Sequence, residues 1–494
     1  LRRPRASSPP LCAPSRLGDG ADGDDDTPFP RAEASRDGAT SMSRAPDLAR
    51  DPIPRLIAHI AIPASAGMFF QMLFNTADSY WAGQHSAAAL TALGASFPVF
   101  LLAIATAMGF GQGATALISA ALGEEDRALA RAYVIHGILA GAILGALLAL
   151  FALTGARPAL GILGLSGGTL DLAFGYLAPI FLFGVAIAWG AVANAVLNAQ
   201  GDAKSYRNAL AIGAVVNVGL DPLLMWGAFG VPGLGLAGIA WSTVLIQCAQ
   251  TAWLARKARA SELGAECGAA DFRFSFDRLR EVFRQGTPAS ATMAFTGFGL
   301  FVFTYFFGRH GEAAVAAYGV SLRIEQMALL LGFGLNAAAL TLIARNFGAG
   351  RPDRVREIAR TIVAAGLAIM LAGGVFVWAL KEPLLGVFTD DPEVIEVGLR
   401  YLTVAVTIFP AYSLLFTAIS TMQGLKQPSF GMIVGFCRHV LGPLAILPIL
   451  DPWLGWGLDG VIAAIFVVAW SGAIAAQLYM WRALSKLATS GSEV

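Results

Sequence analysis

Charged residues are scarce in this chain. Asp, Glu, Lys and Arg make up 14% of its 494 residues, whereas ordinary soluble domains carry about a quarter. The 34 basic and 33 acidic residues nearly cancel, for a formal net charge of +1. This balance leaves no excess of positive charge for the phosphate backbone of a nucleic acid. We therefore expect no nucleic-acid partner.

Residues that carry catalytic or metal chemistry are equally sparse. The four cysteines (Cys12, Cys248, Cys267 and Cys437) have neither disulfide-framework nor metal-site spacing, and the five histidines do not cluster. No HExxH or GxGD motif is present. We expect a protein that is not an enzyme and needs no cofactor. A membrane-embedded enzyme is the remote alternative.

Apolar residues, in contrast, make up 56% of the chain, and the mean hydropathy is +0.64. A helix needs roughly 20 mostly apolar residues to cross a bilayer. The apolar runs predict an all-α polytopic membrane protein with twelve transmembrane helices, surrounded by the lipid bilayer. We place the spans near 54–82, 88–121, 132–155, 171–199, 205–229, 235–256, 281–307, 313–346, 357–379, 396–422, 429–449 and 457–481.

The chain is internally duplicated. Residues 63–131 match residues 288–356 without a gap at an offset of 225 (288 − 63), beginning with Pro-Ala-Ser-Ala in both copies. Each copy holds six spans, an even number, so the repeat is parallel. The duplication predicts two six-helix bundles, a common plan of secondary transporters.

Five regions follow from this pattern. Residues 1–50 are polar and rich in Pro, Ser, Asp and Arg, which predicts a disordered tail. Because the chain begins with Leu1 and Met42 is a plausible initiator, residues 1–41 are either a real tail or a misplaced translation start. The N-lobe covers 51–256, the inter-lobe linker 257–280, the C-lobe 281–485 and the C-terminal tail 486–494.

Lys and Arg residues set the predicted orientation, since cytoplasmic loops are enriched in them. The N-terminal flank and the loops after even-numbered spans hold most of these residues, and the loops after odd-numbered spans hold few. We therefore expect a bacterial cytoplasmic (inner) membrane protein with both termini and the linker in the cytosol.

Polar residues inside the spans are the functional signal, because an ionisable side chain in a membrane is costly and usually functional. Asp78 lies in span 1 and Asp221 in span 5. Asn217 precedes Asp221 by one helical turn and shares its face, and Thr243 in span 6 lies at a similar depth. These four predict a coupling site for H⁺, or for Na⁺ held by their oxygens.

Further polar residues extend this predicted pocket. Gln71 lies two turns before Asp78, and Asn194 and Asn198 lie in span 4. The second half supplies an internal comparison, because Phe303 takes the place of Asp78 (303 − 78 = 225) and the segment matching Asp221 has no acid. The alternative interpretation is that Asp221 caps a helix break before Pro222 and that Asp78 is solvated.

Two prolines within spans, Pro63 and Pro222, predict helix kinks. The kink at Pro63 is either a hinge that responds to Asp78 or an architectural feature, since Pro288 repeats it. The polar residues of the second half have an open role, and a structural ion-pair role or a place near the membrane surface is favoured over transport chemistry: they are Arg323, Glu325, Arg438 and His439.

Four motifs, in order on the six-plus-six repeat, resemble the multidrug and toxic compound extrusion (MATE) transporters over nearly all of residues 52–485. They are Pro63 with Asn75-Thr76-Ala77-Asp78-Ser79; Asn198-Ala199-Gln200-Gly201-Asp202; Asn217-Val218-Gly219-Leu220-Asp221-Pro222 with Gly235-Leu236-Ala237-Gly238; and Asn346-Phe347-Gly348-Ala349-Gly350 with Asp353-Arg354.

The resemblance, which looks closest to the DinF-like prokaryotic branch, implies cation-coupled export of amphipathic, often cationic drugs by a monomer. It carries the coupling roles to Asp78, Asn217, Asp221 and Thr243, and the substrate cavity to Gln71, Phe74, Asn194 and Asn198. The coupling ion is H⁺ or Na⁺, the latter a possible metal at the same four coupling residues. A flippase of a lipid-linked or amphipathic metabolite is the alternative on this architecture.

Overall fold

The computed structural model describes residues 47–490, apart from 49, 229, 231 and 269–272. The described part of the N-lobe consists of α1 (Ile53–His85), α2 (Ala87–Gly123), α3 (Arg127–Thr154), α4 (Ala156–Ile162), α5 (Gly167–Leu182), α6 (Gly184–Ala199), α7 (Ala203–Trp226) and α8 (Leu236–Ala260). The short α9 (Glu262–Ala265) follows. The predicted disorder of residues 1–46 and the alternative start at Met42 lie outside the described residues.

The described part of the C-lobe repeats this order with α10 (Phe276–Gly308), α11 (Glu312–Gly348), α12 (Pro352–Gly386), α13 (Pro392–Gly424), α14 (Ser429–Phe436), α15 (Gly442–Pro448) and α16 (Gly457–Ser490). Two π-helical segments, Cys437–Leu441 and Ile449–Trp453, lie before and after α15.

Twelve membrane-crossing units can be assigned among the described helices, as predicted. Ten helices are long and apolar enough to span a bilayer, and α5 with α6 forms one more span bent by 48°. The twelfth is α8, whose 25 residues suffice in length but include the polar Gln247 and Gln250. The prediction of an all-α protein with two six-helix bundles is confirmed.

Several helix ends differ from the predicted spans. The fourth span is broken at Phe183, and α7 ends at Trp226 rather than near 229. In addition, α10 begins at Phe276, inside the predicted linker, and α16 continues to Ser490, inside the predicted tail. Hydropathy marks only the apolar part of a helix, so polar turns beyond the bilayer were not counted.

The duplication is visible in the helix lengths. Helices α2 and α11 both contain 37 residues, and α1 and α10 both contain 33. The bent pair at 167–199 corresponds to the single α13 at 392–424 (392 − 167 = 225 and 424 − 199 = 225). The fourth span is therefore bent in the N-lobe and continuous in the C-lobe.

The two lobes meet through a contact that is built twice. In the first copy, α2 packs on α10: Ser290 Oγ donates to the carbonyl of Thr106 at 2.9 Å, and a Cβ at Gly109 would overlap the backbone of Ser290. In the second, α1 packs on α11, and Ser65 Oγ donates to the carbonyl of Leu331 at 3.2 Å. A Cβ at Gly334 would likewise overlap the carbonyl of Ala61.

The lobe contact is confined to one end of these helices. Further toward the loops that follow α2 and α11, a Cβ at Gly123 would overlap Arg345, and one at Gly348 would overlap Ala120. Toward the opposite end, no described atom lies within 4 Å of a Cβ built at Gly94, on about the same face of α2 as Gly109. The glycines therefore show backbone contact between the lobes toward the loops that follow α2 and α11, and open space beside Gly94.

Candidate functional site

Three helices of the N-lobe bring the predicted acidic residues together. Helix α1 packs on α7, and α7 packs on α8. Asp78 comes from α1, while Asn217 and Asp221 lie one turn apart on α7 and point to the same side. Asn217 Nδ2 donates to Asp78 Oδ1 and to Asp221 Oδ1, at 2.9 Å each. A single amide group thus bridges two carboxylates from different helices.

A fourth residue, Ser242 on α8, completes the hydrogen bonding. Its hydroxyl donates to Asp221 Oδ1 at 2.5 Å. Sequence reasoning did not select Ser242, because an isolated serine in a span usually bonds to its own helix backbone. Its neighbour Thr243 was selected, but the Thr243 hydroxyl has no hydrogen-bond partner within the described residues.

The cluster is withdrawn from solvent and lipid. Asn217, Asp221 and Ser242 are 0% exposed, Thr243 is 3% and Asp78 is 5% exposed. Asn217 and Ser242 donate to the two acids, and the two carboxyl groups are also close enough to hydrogen-bond each other. Two buried carboxylates without a basic partner are costly unless a proton or cation offsets their charge. Burial also excludes the interpretation that Asp78 is solvated.

Three oxygens of the predicted coupling residues are unpaired. Asn217 Oδ1, Asp221 Oδ2 and Thr243 Oγ1 are buried and have no hydrogen-bond partner among the described residues. Carboxylate, amide and hydroxyl oxygens are the donors that hard cations accept, and a carboxylate oxygen is equally a proton acceptor. The residues present therefore fit Na⁺ and H⁺ alike.

Tyr176 on α5 is a further neighbour that sequence reasoning missed. It is 4% exposed and close enough to Asp78 and Asp221 to interact with both electrostatically. Tyr401 occupies the matching position of the second copy. The sequence therefore did not indicate that Tyr176 has a role in the N-lobe alone.

The residues assigned to the substrate cavity are not hydrogen-bonded to the acidic cluster. Gln71 Nε2 donates to Asn75 Oδ1 on its own helix at 3.4 Å. Phe74 is buried in an apolar group with Ala214 and Ile246. In α6, Asn194 Oδ1 is buried without a partner among the described residues, and Asn198 is half-buried. Their role in binding substrate stays a prediction.

The prolines lie within continuous helices. Helix α1 runs through Pro63 and α7 runs through Pro222. Because α7 is not interrupted at Pro222, Asp221 does not cap a helix break, and that alternative is wrong. Pro63 is buried two residues before Ser65, at the contact between the lobes. The kinks themselves stay predictions.

The matching region of the C-lobe is chemically different. Phe303, at the position of Asp78, is buried among apolar residues. Glu325 is buried and accepts a hydrogen bond from the Tyr401 hydroxyl at 2.9 Å. Arg323 is exposed whereas Glu325 is buried, as expected for two residues on different helix faces.

The fold and the buried acidic cluster together define a polytopic membrane protein of two six-helix bundles with an ionisable site inside one of them. The sequence model of the MatE family matches residues 63–223 and again residues 288–446. The chain belongs to the MatE family.

Curated relatives and solved structures agree with this assignment. The chain is 25% identical over 418 residues to a FAD transporter of Shewanella oneidensis, covering 83% of this chain and 90% of that protein. It is 24% identical over 448 residues to the multidrug export protein MepA of Staphylococcus aureus, covering 90% and 97%. A solved outward-facing multidrug resistance MATE transporter of the MOP superfamily superposes with a TM-score of 0.83 at 22% identity, covering 90% and 98%.

Proposed function

We propose that this protein exports amphipathic, often cationic molecules across the cytoplasmic membrane of a bacterium in exchange for H⁺ or Na⁺. The observation that carries the proposal is the buried pair of Asp78 and Asp221, bridged by one amide and close enough to hydrogen-bond each other. The family membership and the relative named as a multidrug export protein support the drug-export part.

The exchange follows from the charge of the cluster. When both acids are ionised, they attract a cationic substrate and repel each other across α1 and α7. A proton or Na⁺ at the cluster removes the attraction for the substrate and relieves the repulsion between the helices. Binding of the ion and binding of a cationic substrate then oppose each other, which is the thermodynamic requirement for antiport.

Ion binding also has a route to the lobe contact. Asp78 and Pro63 lie on the same helix, and Ser65 of that helix bonds to α11 of the C-lobe. A change in how α1 packs against α7 therefore alters α1 at its contact with α11. The contact between the lobes would loosen at one end as they close at the other. This arrangement gives each lobe the rigid-body motion that alternating access needs.

The charge distribution supports the orientation. Arg127, Arg131 and Arg354 lie at the end where the lobes touch. Loops rich in Arg and Lys stay on the cytoplasmic side. We therefore assign the closed end, the linker and both termini to the cytosol, and the open end to the outside.

Export of an amphipathic metabolite is the second candidate function. It is favoured by the relative named as a FAD transporter, a protein that carries a large aromatic molecule with phosphate groups. The coupling site would be unchanged, and only the cargo would differ.

The test is efflux of a fluorescent cationic dye from everted vesicles under an imposed proton or sodium gradient. We expect the wild type to transport the dye and Asp78→Asn and Asp221→Asn to lose gradient-driven transport at equal protein level. Asp171→Asn is the matched control, because that carboxylate is 61% exposed and paired with Arg157. Transport by both variants at the wild-type rate would overturn the assignment of the coupling site.

A further inference from the structure

The C-lobe contains a buried arginine without an ion pair. Arg438 lies on the π-helical segment Cys437–Leu441 and is 8% exposed. Its guanidinium carbon is 4.7 Å from the centre of the Tyr412 ring. Among the described residues, no carboxylate oxygen lies within 4.0 Å of its nitrogens. A buried charge without a direct counter-charge is costly, and π-helical insertions are frequent at functional sites.

Two polar groups continue from Arg438 to the surface. His439 Nε2 lies 3.4 Å from Arg438 Nη1 and 3.4 Å from Thr296 Oγ1. Thr296 is exposed on α10. The next residue, Gly297, faces Leu101 of the N-lobe, since a Cβ at Gly297 would lie 2.9 Å from its side chain. The row of polar groups therefore reaches the surface beside the contact between the lobes.

The nearest acid is held away from the arginine. Glu325 is 3% exposed and accepts a hydrogen bond from Tyr401. Glu325 interacts electrostatically with Arg438 and with Tyr412, whose ring centre lies 4.7 Å from the Arg438 guanidinium carbon. The charge of Glu325 therefore partly offsets that of Arg438 without a direct ion pair.

The repeat places this cluster opposite in charge to the acidic one. Pro443 stands at the position of Pro222, at an offset of 221, which places Arg438 at the position of Asn217 (443 − 222 = 221 and 438 − 217 = 221). The N-lobe segment carries an amide and an acid, whereas the C-lobe segment carries an arginine and a histidine. The two lobes thus have complementary polarity at equivalent depths.

We propose that Arg438, His439 and Thr296 bind the anionic group, a carboxylate or a phosphate, of an amphipathic aromatic substrate. The proposal deepens the proposed function and rests on it. A guanidinium offers a planar pair of donors that matches carboxylate and phosphate oxygens. Arg438 Nη1 donates to His439 Nε2, and this contact orients the guanidinium beside Thr296. A substrate with both charges places its cationic part toward Asp78 and Asp221 and its anionic part toward Arg438. The preferred cargo is then zwitterionic or anionic, rather than purely cationic.

A matched pair of dyes tests the proposal. Tetramethylrhodamine carries a free carboxylate, and its methyl ester has the same cationic aromatic body without the anion. Binding of each is measured by fluorescence polarisation on the full-length protein in nanodiscs of phosphatidylcholine, so that coupling to an ion gradient is not required. We expect the wild type to bind both dyes, and Arg438→Gln to weaken binding of the carboxylate dye by about tenfold or more while the ester changes by less than about twofold.

A second variant guards against simple misfolding. Glu325→Gln removes the acid that competes for Arg438, so it should tighten binding of the carboxylate dye and leave the ester unchanged. Arg438→Lys keeps the charge without the planar donor pair and should fall between Arg438→Gln and the wild type. Equal loss of both dyes in Arg438→Gln together with loss in Glu325→Gln would mean a purely structural cluster and overturn the proposal.

Two further arms identify the source of the anion. Inorganic phosphate should compete with the carboxylate dye and not with its ester, and competition against both dyes would contradict the proposal. In nanodiscs containing phosphatidylglycerol, weaker binding of the carboxylate dye alone would identify a lipid phosphate as a competing occupant of the same site. If the wild type binds neither dye, the proposed drug export itself fails. If the wild type binds both dyes and Arg438→Gln leaves both affinities unchanged, the proposed anion site fails and the proposed drug export stands.

Discussion

Asp78 of α1 and Asp221 of α7 accept hydrogen bonds from the same amide nitrogen, Asn217 Nδ2, at 2.9 Å each. One neutral donor therefore holds together two acids that belong to different helices. Any proton or cation that binds here changes the charge at the contact between α1 and α7. Because α1 also forms part of the lobe contact, ion binding and lobe packing are joined through a single helix.

Removing the bridging amide should destabilise the protein. In Asn217→Ala both carboxylates lose a buried donor, which costs about 1–3 kcal/mol for an unsatisfied buried group. We expect a lower thermal unfolding temperature in detergent and loss of efflux. Asn208→Ala is the control on the same helix, since Asn208 is exposed.

The double variant Asp78→Asn with Asn217→Ala separates a direct contact from an indirect effect. Residues in one hydrogen-bond network show coupling energies of about 0.5–3 kcal/mol. We therefore expect the two changes to be less than additive. Strict additivity of the two shifts would contradict the shared hydrogen bond.

Thr243 distinguishes the two candidate ions. Its hydroxyl is buried and unpaired among the described residues, so it is free to coordinate Na⁺, whereas a proton needs only a carboxylate. Thr243→Val should raise the Na⁺ concentration for half-maximal sodium-driven efflux and leave proton-driven efflux nearly unchanged. Thr243→Ser, which keeps the hydroxyl, should behave like the wild type. If Thr243→Val and the wild type show the same Na⁺ dependence of sodium-driven efflux, Thr243 is not part of the site.

The duplicated lobe contact predicts a conformational effect of single methyl groups. Gly109→Ala and Gly334→Ala each place a Cβ into the backbone of the other lobe, so both should weaken the closed end. Spin labels on the ends of α2 and α11 near Gly123 and Gly348, in a cysteine-free background, should report longer distances.

Gly94→Ala and Gly319→Ala serve as matched controls for these changes. They lie on the same two helices where no described atom is within 4 Å, and alanine is favoured over glycine in a helix by about 0.5–1 kcal/mol. They should keep the short distance. Long distances in all four variants would mean that the contact at Gly109 and Gly334 does not control the closed end.

The two-bundle fold and the acidic pair could be predicted from sequence for a clear physical reason. Apolar runs of bilayer length leave little alternative to spanning helices, and a repeat of constant offset fixes six spans in each half. Inside such runs Asp78 and Asp221 are conspicuous, and the four-residue spacing places Asn217 beside Asp221.

Other features depend on packing between helices and escaped prediction. Ser242 was missed because nothing in its sequence surroundings distinguishes a serine that bonds to Asp221 from one that bonds to its own backbone. The bend at Phe183 occurs within apolar sequence, and the π-helical segment Cys437–Leu441 contains no proline or glycine that would have indicated it.

The most direct test of the central claim is to follow the ion rather than the drug. Proteoliposomes with an internal pH-sensitive dye, or loaded with radioactive sodium, are exposed to a substrate gradient without an imposed ion gradient. The account predicts that the wild type moves protons or Na⁺ opposite to the substrate, and that Asp78→Asn and Asp221→Asn move neither ion. The control Asp459→Asn changes an exposed acid paired with Arg400 and should behave like the wild type. Substrate-driven ion flux at the wild-type rate in both of the latter variants would contradict it.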